Sequence, residues 1–203
     1  MQMLCEEFQI IEHINRILNG NDLQMIDQVI WLIANSVGES SKLQSLIVSK
    51  TYIIEGLTRI ITEARQCQAS LMKGLLCNII WCVSNISRHK TGRDQDQQQF
   101  QLTEQESHQL LYIVQQFMNI TGISVSFTKD TLWSLSYLLE RGNDDFCTSV
   151  CKGKKTMEIL INSLKSPLQE ESVPAMRAIG QILSSDNGEN VDMFLFHGGL
   201  GAL

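Results

Sequence analysis

Three eight-residue strings share one phase: Gln-Val-Ile-Trp-Leu-Ile-Ala-Asn at 28–35, Asn-Ile-Ile-Trp-Cys-Val-Ser-Asn at 78–85, and Asp-Thr-Leu-Trp-Ser-Leu-Ser-Tyr at 130–137. They contain all three tryptophans of the chain. A fourth string, Pro-Ala-Met-Arg-Ala-Ile-Gly-Gln at 174–181, repeats the pattern with Arg177 in the Trp position. The marked positions Trp31, Trp81, Trp133 and Arg177 are 50, 52 and 44 residues apart. A period of that size is the mark of a helical repeat array rather than of a single central core.

The intervening sequence supports this. Apolar residues recur at helical spacing, not in alternation. Phe8, Ile11, Ile14, Ile17 and Leu18 make one stripe, stopped by Asn19-Gly20. Helical patterns follow over about 23–37, 41–49, 51–65, 69–87, 103–118, 124–140, 143–151, 155–165 and 170–184, and a helix start is expected from Gly198. Between marked helices come a short helix and a second helix, so the unit has three helices and the armadillo/HEAT size. The 203 residues contain only 2 prolines and 13 glycines, which suits an all-α chain better than a turn-dense β fold. The marked helices are expected near 22–38, 69–88, 124–140 and 168–184 of one partial array over 1–203, with a polar glutamine-rich loop at 89–102.

Residues i and i+4 of a helix share a face. The first three marked helices therefore show an indole and, one turn on, Asn35, Asn85 or Tyr137. Ile30, Ile33, Ile80, Val83, Leu132 and Leu135 form a separate core-facing set. An amide offers donors and an acceptor to the main chain of an extended peptide. Neighbouring indoles make slots for the stems of Lys or Arg, with about 0.5–2 kcal/mol of cation–π attraction per contact. Glu39 and Asp130 can place carboxylates at the slot ends.

These strings resemble the armadillo repeats of importin alpha. The matching stretches are Val-Ile-Trp-Leu-Ile-Ala-Asn-Ser-Val-Gly-Glu, Trp-Cys-Val-Ser-Asn-Ile-Ser-Arg, Leu-Trp-Ser-Leu-Ser-Tyr-Leu and Val-Pro-Ala-Met-Arg-Ala-Ile-Gly-Gln-Ile-Leu. Their order matches the family's third to sixth repeats. The resemblance implies a right-handed armadillo superhelix, an α-solenoid of three-helix repeats, that binds extended Lys/Arg-rich nuclear localisation signals and works between cytoplasm and nucleus. Trp31, Asn35, Trp81 and Asn85 match the family's Trp/Asn pairs, and Asn78 matches a further peptide-contacting asparagine. Glu39 stands where the family has Asp. Asp130, Trp133 and Tyr137 match the repeat in which Tyr replaces Asn, and Arg177 matches an Arg between the family's two sites.

There are departures as well. Gln181 replaces an Asn, and Ser126 replaces a frequent carboxylate. No arginine-rich N-terminal segment is present, so direct binding of importin beta is not expected. The resemblance implies either a fragment of the family's array or a truncated relative. The other reading is an armadillo scaffold for protein–protein contacts without this peptide specificity.

The remaining chemistry is sparse. A net charge of -6 weighs against nucleic acid as the partner and suits basic peptides. No run approaches the roughly 18 apolar residues of a membrane span, so no membrane insertion is expected. The N-terminus lacks a signal-peptide pattern, so reduced thiols are expected. Cys67, Cys77, Cys82, Cys147 and Cys151 read as buried apolar fillers, since no Cys-x-x-Cys pairing exists for a metal. His13, His89, His108 and His197 have no nucleophile or acid at motif spacing. No catalytic residue, metal site or cofactor is expected.

Overall fold

The computed structural model describes residues 2–64, 69–88, 100–120 and 122–202. Among the described residues there are eleven α-helices and no strand. They are α1 (Gln2–Leu18), α2 (Leu23–Glu39), α3 (Ser41–Lys50), α4 (Ile53–Ala64), α5 (Ala69–Ser87), α6 (Glu104–Met118), α7 (Val125–Arg141), α8 (Asp144–Cys151), α9 (Lys154–Leu164), α10 (Gln169–Leu183) and α11 (Gly188–Phe196). Most of the expected glutamine-rich loop, residues 89–99, lies outside the described residues, as do Cys67 and His89.

Local chemistry sets the helix ends. Asp22 accepts hydrogen bonds from the Gln24 and Met25 amides and caps α2. Ser40, Ser124 and Asn143 cap α3, α7 and α8 in the same way. Thr103 and Glu106 form a reciprocal box ahead of α6: the Glu106 amide donates to the Thr103 hydroxyl, and the Thr103 amide donates to the Glu106 carboxylate.

The contacts divide into two compact units, Met1–Ile86 with Lys90–Ile113, and Ser87–His89 with Val114–Leu203. In the first unit, α3, α4 and α5 are a short, a middle and a marked helix, preceded by the pair α1 and α2. In the second, α8, α9 and α10 repeat that order, and α10 packs along α7 and α9. The core of each unit comes from the apolar stripes: Ile30, Ile33, Ile80, Val83, Leu132 and Leu135 are all buried.

Polar side chains tie the helices together. Arg59 of α4 donates to the Leu18 and Gly20 carbonyls at the end of α1. Buried Gln44 of α3 donates to the Asn85 and Ile86 carbonyls (3.2 and 2.7 Å) in the last turn of α5. The final four carbonyls of a helix lack intrahelical partners, so Gln44 acts as a cap from a neighbouring helix.

Two features depart from the sequence pattern. The pattern assigns no helix to 185–197, yet α11 lies there, capped by Asn187. Its first turn is polar and hides the short apolar run behind it. The helix start expected from Gly198 is a single 3-10 turn over Gly199–Ala202, entered through Gly198 at φ 78°. The Phe194 ring occupies the space a side chain on Gly199 would need. Cys82, Cys147 and Cys151 are buried, whereas Cys77 is only half-buried. Burial pushes the thiol of Cys151 up to about 11.

Replacing Gln44 with Ala leaves two carbonyls of α5 without this donor. Urea unfolding should show a loss of about 1–3 kcal/mol relative to the parent chain.

Candidate functional site

In the first unit, α2 carries Asp27, Trp31, Asn35 and Glu39 at successive intervals of four, so they line one ridge. The opposite side of the helix, including Ile26, Ile30, Ile33 and Val37, is buried. Trp31 is 50% exposed, an unusual setting for so large an apolar ring. Asn35 and Glu39 are exposed, and Asp27 is half-buried. The Asn35 amide donates one N–H to the Trp31 carbonyl at 2.9 Å, which holds it one turn from the indole. Its second N–H and its oxygen remain for a ligand.

The two α5 asparagines behave differently from that picture. Asn78 donates to the Asp27 carboxylate at 2.8 Å, and Asn85 donates to the Ala34 carbonyl at 3.0 Å. Both bonds cross from α5 to α2. Asn85 is buried, so its amide is turned into the seam instead of standing in an exposed row beside Asn35. The cause is space: Ala34 and Gly38 leave the α2 backbone open, and a Cβ on Gly38 would lie 3.0 Å from the Asn85 amide nitrogen. A buried amide needs a partner, and this carbonyl supplies one. Trp81 is half-buried on α5, between these two bonds in sequence.

In the second unit, Trp133 stacks on Tyr137 of its own helix, with ring centroids 5.3 Å apart and planes 25° apart. One indole face is therefore covered from within the chain. Asp130 is half-buried and lies 3.6 Å from the Lys129 ammonium. Burial raises its carboxyl above the usual value, and Lys129 opposes that rise. Burial also raises the Tyr137 hydroxyl, with Arg88 and Arg177 pulling it down and Glu140 and Asp130 adding to the rise. Arg177 of α10 donates to both Glu140 oxygens at 2.8 Å. That ion pair ties α10 to α7 and neutralises the cation placed in the Trp position. Ser126 is exposed and Gln181 is half-buried.

Two participants are absent from the sequence reading, Asp27 and Glu140. Both carry a readable signal: Asp27 is one turn before Trp31, and Glu140 is two turns after Trp133. Cavities of about 550 and 180 Å³ are lined by other residues, the larger by Thr58, Glu104, Gln105, His108, Gln109 and Tyr112. The candidate site is an open face, the form that suits an extended chain. Among the described residues no group of three His, Cys, Asp or Glu is placed to hold a metal ion, and no helix is long and apolar enough to cross a membrane.

Three-helix units whose marked helices carry Trp-x-x-x-Asn define an all-α chain of the armadillo-repeat class. The fold matches designed proteins of that class. One designed armadillo repeat protein aligns at TM-score 0.70 and 13% identity over 95% of this chain and 72% of its own. A second, computationally designed for modular peptide recognition, aligns at TM-score 0.71 and 14% identity over the same shares. In sequence, the chain is similar to importin subunit alpha-1b of Oryza sativa subsp. japonica, at 24% identity over 172 residues. That match takes in 85% of this chain and 28% of the relative, so the chain spans little more than a quarter of it. No protein-family model matches. Fold and sequence together describe an importin-alpha-like armadillo-repeat protein.

The raised carboxyl of Asp130 has a consequence for stability. Its folded-state value lies above its unfolded value, so the folded chain binds the proton more tightly. Stability is lost as pH rises from about 4 through that raised value. Asp130→Asn should remove this loss. Thermal midpoints taken from pH 4 to 7 should show the variant gaining on the parent as pH rises, and parallel curves would contradict the assignment.

Proposed function

We propose that this chain is a nuclear-import adaptor, or part of one, that holds extended Lys/Arg-rich nuclear localisation signals against the α2–α5 face. The observation that carries this reading is the half-exposed indole of Trp31, one turn from exposed Asn35 and flanked along the same ridge by Asp27 and Glu39. An indole left in water next to two carboxylates is a poor arrangement for folding and a good one for a cation. The aliphatic stem of Lys or Arg covers the ring, and the charged head reaches a carboxylate. The remaining N–H and oxygen of Asn35 pair with the peptide main chain, which lacks internal partners when extended.

Asp27 is held by Asn78, so one carboxylate is pre-oriented and little side-chain freedom is lost on binding. Trp81 supplies the second wall of the slot. In the second unit, Asp130, Trp133 and Tyr137 offer similar chemistry by themselves, with one ring face already covered. The similarity to an importin alpha subunit and the likeness to a scaffold designed for peptide recognition support the reading. The protein acts by binding, without catalysis, in cytoplasm and nucleus.

A second reading has its own observation. Asn85 is committed to Ala34 and Arg177 to Glu140, so two of the positions that match the family's ladder are occupied from within. A scaffold that retains the fold and binds extended partners of other composition fits that pattern.

Titrating a fluorescent monopartite basic signal peptide into the protein tests both. The parent chain should bind, more tightly at low salt. Changing Trp31 and Trp81 together to Ala should weaken binding about tenfold or more, on the order of 1.4 kcal/mol. Undiminished binding by that variant would sink the first reading. Equal binding of a length-matched peptide without Lys or Arg would establish the second.

A further inference from the structure

In the second unit, the end of α6, the turn after it, α7 and α9 enclose a cavity of about 180 Å³. Its walls are apolar. Phe117 and Met118 come from α6, Ile120 from the turn, Phe127 and Leu132 from α7, and Ile159 from α9. The Phe117 and Phe127 rings pack on each other, with centroids 5.3 Å apart and planes tilted by 46°. Phe117, Met118, Phe127 and Leu132 are buried, whereas Ile120 and Ile159 are half-buried. Among the described residues, none that lines the cavity is charged, and none belongs to the candidate peptide-binding set.

The two hydroxyls that line it are bonded to their own helix. Thr131 donates to the Phe127 carbonyl at 2.8 Å, and Thr128 donates to the Ser124 carbonyl at 3.4 Å. At the end of α6, the Ile120 amide donates to the Phe117 carbonyl at 2.9 Å, and the Asn119 side chain donates to the Gln115 carbonyl at 2.8 Å. The Ser124 hydroxyl accepts from the Phe127 amide. A water molecule settles in a protein cavity with about two to four polar partners, and these walls offer few. Gly122, at φ 75°, is exposed at the rim, and no atom lies within 4 Å of where its Cβ would stand. The turn therefore leaves a way in.

We infer that this cavity is a binding site for one small uncharged molecule with a single apolar ring. Size and lining both select it. An apolar cavity of about 150 Å³ accepts benzene, so this one accepts a ring with a methyl group. Drug-sized molecules occupy pockets of about 300 Å³ or more and are too large for it. A charged or strongly polar group would enter without partners and lose its hydration. The occupant is a free molecule rather than a ring carried by a partner protein. Such a ring brings peptide groups with it, and the amides and hydroxyls at the rim are bonded within the chain. A hydrocarbon ring needs no such partner and gains by leaving water.

Toluene is the probe, titrated into the full chain and followed by methyl NMR. The Met118, Ile120, Leu132 and Ile159 methyls should shift along one saturating curve, while those of Ile30, Ile33 and Ile80 in the first unit stay in place. At about tenfold its Kd, toluene should raise the thermal midpoint by about 2 °C or more. Ile159→Phe and Ile120→Phe each add volume at a half-buried wall. Each should weaken toluene binding about tenfold or more, with helicity unchanged in circular dichroism. N-acetylphenylalaninamide, which carries the same ring on peptide groups, should bind at least about tenfold more weakly than toluene. A parent chain whose methyls show no saturable shift, or shift in both units alike, overturns the proposal. So does toluene binding that both filled variants retain. Equal binding of N-acetylphenylalaninamide also overturns it, by assigning the cavity to a partner's side chain.

Discussion

Within each unit, the seam between its two marked helices is the constraint on which the rest depends. It needs two helices in close approach, and close approach needs small residues. Ala34 and Gly38 open the α2 backbone, and Asn85 fills the opening with an amide that bonds to Ala34. In the second unit α7 and α10 also pack together, and both carry small buried residues, among them Ser136 and Ala178. Large side chains here would separate the helices and leave buried polar groups unpaired, at about 1–3 kcal/mol each. On α2 the core positions are taken by Ile30, Ile33 and Ala34, and Trp31 stands on the exposed side of the helix.

The same constraint divides the labour among the asparagines. Asn35, on the outer ridge, reaches only its own helix and keeps hydrogen-bonding capacity for a ligand. Asn78 and Asn85 reach across the seam and become structural. Asn78 does both tasks, since the group it holds is the carboxylate of Asp27. In the second unit the equivalent positions are paired more fully within the chain. Trp133 is stacked on Tyr137, and Arg177 is bound to Glu140. The first unit therefore leaves more ring surface and hydrogen-bonding capacity open, and the second holds a ring pair and a neutralised cation.

Much of the fold was legible in the residues. The phase shared by Trp31, Trp81, Trp133 and Arg177 marks the repeat, and the spacing of Ile30, Ile33, Ile80 and Val83 separates the core side from the ring side. Capping residues such as Asp22, Ser40, Ser124 and Asn143 mark where helices begin. α11 was not legible, because Asp186 to Asn190 are polar and its apolar run is too short to show a period. The reach of a side chain was not legible either. Asn35 and Asn85 stand in the same position of the same motif, and one is exposed while the other is buried.

Sequence alone determined the periodicity, the helical class and the residue types offered at each marked position. Those properties are local: they follow from helical spacing, from the conformational preferences of Gly and Pro, and from which side chains are apolar. Tertiary structure decided which of those residues face water and which bond to each other. That choice depends on distances between helices roughly 50 residues apart in the chain, set by the size of Ala34, Gly38 and their counterparts. Asp27 acquires its partner Asn78, and Arg177 its partner Glu140, only when two helices are brought side by side. No spacing within a single helix carries that information.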